Sequence, residues 1–201
     1  MIAIIDYDAG NLKSVEKAFD YLGVPVAVTR DKDEILTADK VVLPGVGAFG
    51  DAMDKLKKYG LVHTIYDVVE KKTPFLGICL GLQLMFSKSA ESEGVCGLGL
   101  LDGEIVRIPG DKGLKIPHMG WNSLTFRPGT RLFAGIDEGA YVYFVHSYYL
   151  KAGNESDVAA KTYYGVDIHA AVEHGNLFAC QFHPEKSSEV GLKILKNFAS
   201  L

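Results

Sequence analysis

The stretch Thr73–Phe86, TPFLGICLGLQLMF, constrains the fold more than any other part of the chain. A short apolar run, Phe75–Ile78, enters a tight turn at Gly77-Ile78-Cys79-Leu80-Gly81, and Leu80–Phe86 reads as the first turns of a buried helix. A cysteine with glycine two residues away on each side, between strand and helix, fits the cysteine version of the G-x-S-x-G elbow. There a cramped turn lifts a nucleophile above the edge of a parallel sheet. The glycines leave room that larger side chains would deny. The helix beginning after the thiol favours the thiolate through its dipole and its free N–H groups. The rest of the chain must then supply a base, an orienting acid, an oxyanion site and a pocket.

The first half alternates strand and helix. Ile2–Ile5 is a strand, and Asp8-Ala9-Gly10-Asn11 is turn chemistry, with Asn11 placed to cap the helix Leu12–Leu22. Pro25–Thr29 and Lys40–Leu43 are further strands, separated by a short polar helix and connection over Asp31–Ala38. Pro44-Gly45-Val46-Gly47 follows, and Asp51–Lys72 is helical with a break near Gly60. Ser87–Gly99 reads as a polar loop. Beyond it the texture changes to strands at Asp102–Ile108, Asn122–Phe126, Ala140–Leu150, Val158–Tyr164, Ile168–Glu173 and Leu177–Phe182. Pro109-Gly110-Asp111-Lys112-Gly113 and His174-Gly175-Asn176 are turns between them, and Ser188–Phe198 is a last helix. The expected fold is α/β in three layers. A mostly parallel central sheet carries helices on both faces and added antiparallel strands, in one domain over residues 1–201.

The net charge of −4 gives no reason to expect nucleic acid or an anionic membrane as partner. No apolar run approaches the ~18 residues of a membrane span, and the N-terminal strand meets Asp6 without a basic leader. Three cysteines make no disulfide framework, so a cytoplasmic location is expected.

His183-Pro184-Glu185 closes the Leu177–Phe182 strand. Residues two apart in extended chain share a face, so Glu185 can orient His183 as the base for Cys79. Pro44–Gly47 is a second glycine-rich loop at a strand end. It can present an N–H of Val46 or Gly47 to an oxyanion, opposite the N–H of Leu80. Cys180 reads as core and Cys96 as a loop residue, while His63, His169 and His174 lack metal-ligand spacing. Neither a metal nor a cofactor is implied.

GICLGLQ, PGVGAFG and QFHPEKS together resemble the class I (triad-type) glutamine amidotransferases, over nearly the whole chain. The match includes YFVHSY at Tyr143–Tyr148, and PHMGWN at Pro117–Asn122 with the opening DYDAGNLKSVEKA narrows the resemblance to glutaminase subunits of imidazole glycerol phosphate synthases. The resemblance implies a flavodoxin-like fold and a Cys79–His183–Glu185 triad that hydrolyses L-glutamine through a thioester. It also implies substrate contacts from Gly47, Gln83, Ser147 and Tyr148. The ammonia would be channelled to a (β/α)8-barrel cyclase subunit in a heterodimer, which makes imidazole glycerol phosphate and AICAR for histidine biosynthesis. Asn11, Pro117, His118, Met119, Trp121, Asn122, Tyr143 and Lys186 match the docking face, while His118 and His146, which lie in the matched motifs, read as positioning residues rather than ligands. On its own sequence Trp121 fits an interface hot spot or the core equally. Three other readings fit parts of the pattern: an amidotransferase subunit of an anthranilate or aminodeoxychorismate synthase, a silent interaction subunit, and a cysteine peptidase on the same scaffold.

Overall fold

A computed structural model describes residues 1–110 and 113–201, so the Asp111-Lys112 part of the expected turn lies outside the described residues. In chain order the elements begin with β1 (Ile2–Ile5), α1 (Leu12–Tyr21), β2 (Val26–Thr29), α2 (Lys32–Thr37) and β3 (Lys40–Gly45). Next come α3 (Phe49–Lys58), α4 (Leu61–Glu70), β4 (Phe75–Cys79), α5 (Leu80–Leu84), β5 (Phe86–Ser89) and β6 (Leu101–Arg107). The second half adds β7 (His118–Ser123), β8 (Thr125–Phe126), β9 (Tyr141–His146), β10 (Tyr148–Ala152), β11 (Val158–Tyr163), β12 (Asp167–His174), β13 (Leu177–Cys180) and α6 (Ser188–Ala199).

The central eight-stranded sheet has the order β2-β1-β3-β4-β13-β12-β11-β8. Its first five strands are parallel and the last three antiparallel. Parallel strands covered on both faces read as continuous apolar runs, and β1 and β4 are buried throughout. Alternation divides their side chains between two cores. Ala3 and Ile5 join Ile35, Leu56 and Ile65 of α2, α3 and α4, whereas Ile2 and Ile4 join Phe19 of α1 and Phe198 of α6. No helix among the described residues is long and apolar enough to cross a membrane.

Several boundaries differ from the sequence reading. The helix after Cys79 lasts only five residues, and β5 starts at Phe86, the last residue of the expected helix, and runs into the expected loop. The apolar run from Ala140 to Leu150 is two strands, β9 and β10, which break at Ser147 and enter different small sheets. PHMGWN lies on a strand: β7 begins at His118 and pairs with β9. Alternating polar and apolar residues there gave too little contrast to mark a strand, because one side of β7 is left uncovered.

Strand register builds the site. β3 pairs with β4 so that Pro44 faces Ile78 and Gly45 faces Cys79. On the other side of β4, Cys180 at the end of β13 faces Ile78, so the chain beyond it arrives beside Cys79. Three connections thus meet at the carboxyl ends of parallel strands, where open α/β sheets bind ligands.

Candidate active site

Cys79 adopts φ 55°, ψ −108°, outside the regions that non-glycine residues favour. Backbone strain of this kind persists only where the surroundings over-determine it, and the flanking glycines show how. A Cβ on Gly81 would stand 1.8 Å from the Leu43 carbonyl oxygen, and one on Gly77 would stand 2.7 Å from the Gly81 carbonyl oxygen. The elbow is therefore pressed onto β3 and onto its own first helical turn. With α5 so short, a long helix dipole is not what activates the thiol.

Across the cleft, His183 is 1% exposed and donates from Nδ1 to Glu185 Oε1 at 2.7 Å. Burial pulls the imidazole down, but the nearby Cys79 and the hydrogen bond to Glu185 outweigh it and raise His183 from 6.5 to about 10. His183 therefore holds its proton at neutral pH. The Cys180 thiol is pushed up by burial and by the charges of Glu185 and Cys79, and stays protonated in the core. The expectation that His183 and Glu185 share a strand face is corrected. The strand ends at Cys180, and Glu185 sits in a single 3-10 turn, Pro184–Lys186, which folds its carboxylate back onto the ring. The His183 backbone is clamped as well. Its N–H donates to the Tyr143 carbonyl at 2.9 Å, and its carbonyl accepts from Ser187 Oγ at 2.6 Å.

Cys79 and His183 open into a cleft of about 430 Å³ that is also lined by Val46, Gly47, Leu80, Gln83, Ser147 and Tyr148. All the residues expected at the oxyanion and substrate positions thus share one space. Gly47 has φ 102°, a conformation left to glycine. The base of its loop is pinned by the buried Tyr7 hydroxyl, which donates to the Pro44 carbonyl at 2.9 Å. Burial, and then the charge at Cys79, push the Tyr7 phenol well above its ordinary value, so it remains a donor.

Three contributors escaped the sequence reading. Gln181 is fully buried; its Nε2 lies 3.8 Å from Cys79 Sγ, and its Oε1 accepts from Gln83 Nε2 at 3.0 Å. Glu91 also lines the cleft, and its carboxylate accepts the Phe49 N–H at 2.8 Å, capping α3. Gln181 could have been found as a buried amide within QFHPEKS, whereas Glu91 lies in a polar stretch that carries no signal. The third is a new role for Asn11. It takes φ 72° and makes no side-chain cap; its Nδ2 donates instead to Glu185 Oε1 at 2.5 Å.

The expected docking residues separate into three groups. Met119 is 58% and Trp121 51% exposed, so Trp121 is not core, and Lys186 is exposed too. Pro117, Asn122 and Tyr143 are half-buried, with Pro117 on the cleft wall. His118 is corrected: at 3% exposure it points inward from β7 and cannot touch a partner.

A family model for class I glutamine amidotransferases matches residues 3–200. The chain is 56% identical over 201 residues to the imidazole glycerol phosphate synthase subunit HisH of Moorella thermoacetica, covering 100% of this chain and 94% of that protein. It is 54% identical over 202 residues to the subunit of the same name from Caldanaerobacter subterraneus subsp. tengcongensis, covering 100% and 98%. Among solved structures, a glutamine amidotransferase superposes with a TM-score of 0.77 at 18% identity, covering 100% of both chains. PurLQS from Thermotoga maritima superposes with a TM-score of 0.76 at 18% identity, covering 99% and 97%. These last two likenesses speak for the fold alone. With the family model spanning almost its whole length and relatives sharing more than half of its residues, the chain belongs to the class I glutamine amidotransferases, in the group of HisH subunits of imidazole glycerol phosphate synthases.

Proposed function

We propose that this chain, as one glutamine amidotransferase domain, hydrolyses L-glutamine and passes the ammonia to a (β/α)8-barrel cyclase subunit. The observation that carries the reading is the strained Cys79 facing a buried, protonated His183 in a cleft that also holds Gln83. Cys79 sulfur attacks the side-chain amide carbon of glutamine. The oxyanion that forms takes N–H groups from Leu80 and from Val46 or Gly47, which are hydrogen bonds to a charge that exists only after attack. His183 gives its proton to the departing nitrogen, the C–N bond breaks, and a thioester remains with ammonia released. His183 then takes a proton from water, whose oxygen displaces the sulfur to yield glutamate. Glu91 is the carboxylate on the cleft wall suited to the substrate ammonium group.

Met119 and Trp121 are exposed on β7, which begins one residue after the cleft-lining Pro117, and Lys186 is exposed one residue after Glu185, which favours a partner seated over the site. Aromatic anchors flanked by polar residues suit such a surface. The test is co-expression with a barrel cyclase: a stable heterodimer should form, with glutamine hydrolysis rising when the cyclase is loaded with its nucleotide substrate. Association with a chorismate-using synthase subunit instead, or peptide cleavage without glutamine turnover, would contradict the proposal.

A further inference from the structure

The cleft holds a second histidine, His146, on the same wall as Ser147 and Tyr148. It has no nitrogen free for chemistry. Its Nδ1 lies 2.9 Å from the Tyr148 carbonyl, which can only accept, so Nδ1 carries the hydrogen. A neutral ring then has its lone pair at Nε2, and that atom lies 3.0 Å from Nδ1 of His118. His118 must therefore donate, which leaves its own Nε2 as an acceptor toward the Asn122 amide nitrogen at 3.4 Å. One consistent assignment survives: both rings are neutral and both carry hydrogen on Nδ1. Burial supports it, holding His118 down at about 4 and His146 at about 3.

The chain of bonds has a direction and an end. Asn122 donates to His118, His118 to His146, and His146 to the Tyr148 carbonyl. That carbonyl also accepts Gln83 Nε2 at 3.1 Å, and the same Gln83 nitrogen donates to the oxygen of Gln181, whose amide nitrogen lies beside Cys79. The His118 ring is itself held between Phe144, at 4.8 Å, and Tyr164, at 4.0 Å, both nearly parallel to it. Its position directly across the β7–β9 ladder from His146 leaves little freedom.

We propose that His118 is a positioning residue for the glutamine site: acting through His146, it fixes the tautomer of that ring and the placement of the Tyr148 carbonyl and Gln83 amide that shape the substrate wall. It touches no reacting atom. The proposal rests on the glutaminase reading, so it predicts weaker occupancy of the cleft with the chemical step preserved.

The probe is an electrophilic glutamine analogue, diazo-oxo-norleucine, whose rate of addition to Cys79 is followed against concentration with the chain in its cyclase complex. His118→Phe keeps the ring sandwich and removes the N–H. It should raise the half-saturating concentration about tenfold and leave the maximal rate within about twofold, as befits one lost buried hydrogen bond. His118→Asn restores a donor near Nδ1 and should recover saturation to within about threefold of the unaltered chain. An unchanged half-saturating concentration for His118→Phe would overturn the inference, as would a fall in maximal rate alone. Nitrogen NMR of the unaltered chain decides the matter even if a variant fails to fold. Neutral Nδ1–H rings at both positions at neutral pH support the network, and an Nε2–H ring at either overturns it. If the unaltered chain in its complex is never labelled, the glutaminase reading fails and this inference with it; normal labelling with the wrong tautomers sinks the inference alone.

Discussion

Asn11 donates its side-chain amide to Glu185 across 174 positions of sequence, at 2.5 Å. The same carboxylate oxygen accepts from His183, so the first loop of the chain helps aim the carboxylate that holds the His183 ring. A hydrogen bond to a charged group contributes about 1.5–3 kcal/mol. Asn11→Ala should therefore lower the maximal rate of glutamine hydrolysis by about tenfold or more, and Asn11→Asp should lower it further by setting two carboxylates together. Steady-state assays of the cyclase complex give the answer. An unchanged maximal rate in Asn11→Ala would mean the bond is incidental.

The three buried histidines should titrate in three different ways. His183 is raised to about 10, so its ring should show no transition near the ordinary 6.5, while His118 and His146 should stay neutral down to about 4 and about 3. The sign follows from linkage. His183 gains affinity for its proton on folding, so its contribution to stability is complete below 6.5 and is lost as pH rises toward about 10. Nitrogen-labelled histidine spectra across the pH range check all three; a His183 transition at its ordinary value would remove the argument that its proton is in place before attack.

Gly81→Ala separates elbow packing from helix propensity. In an open helix this change would stabilise by about 0.5–1 kcal/mol. Here the new Cβ would sit 1.8 Å from the Leu43 carbonyl oxygen. Overpacking costs about 1–3 kcal/mol or more, so clash outweighs propensity and the melting temperature should fall. A rise would show that β3 and the elbow separate easily.

Trp121 is half exposed and meets Tyr143 edge-to-face, with ring centroids 6.1 Å apart. Its removal should leave thermal stability nearly unchanged. Association with the cyclase should weaken by about 2 kcal/mol or more, as for a buried aromatic anchor. Calorimetry on the free chain and a titration with the partner separate the two effects; a lower melting temperature with equal affinity would assign Trp121 to folding instead.

How much of this was legible in the sequence depends on how local each signal is. The elbow and the parallel half were legible because GICLG and the strand-helix alternation report local backbone demands. Cys79 and His183 were legible as reactive types in motifs. The contacts that support them were not. Asn11 looks like a helix cap, and only the left-handed backbone that sends its amide to Glu185 shows otherwise. His118 sits among residues that face outward, and strand alternation alone turns it into the core beneath Trp121. Glu185 reaches His183 through a 3-10 turn that the extended reading of HPE did not contain.

The central claim is that Cys79 is a nucleophile for the glutamine side chain, with His183 as its acid and base. Intact-mass and peptide-mass measurement after treatment with diazo-oxo-norleucine tests it most directly, with the chain alone and with its cyclase. One analogue should add per chain, on Cys79 and on neither Cys96 nor Cys180, and His183→Ala should abolish the addition. Labelling at the exposed Cys96 with Cys79 untouched, with or without the partner, would contradict the account.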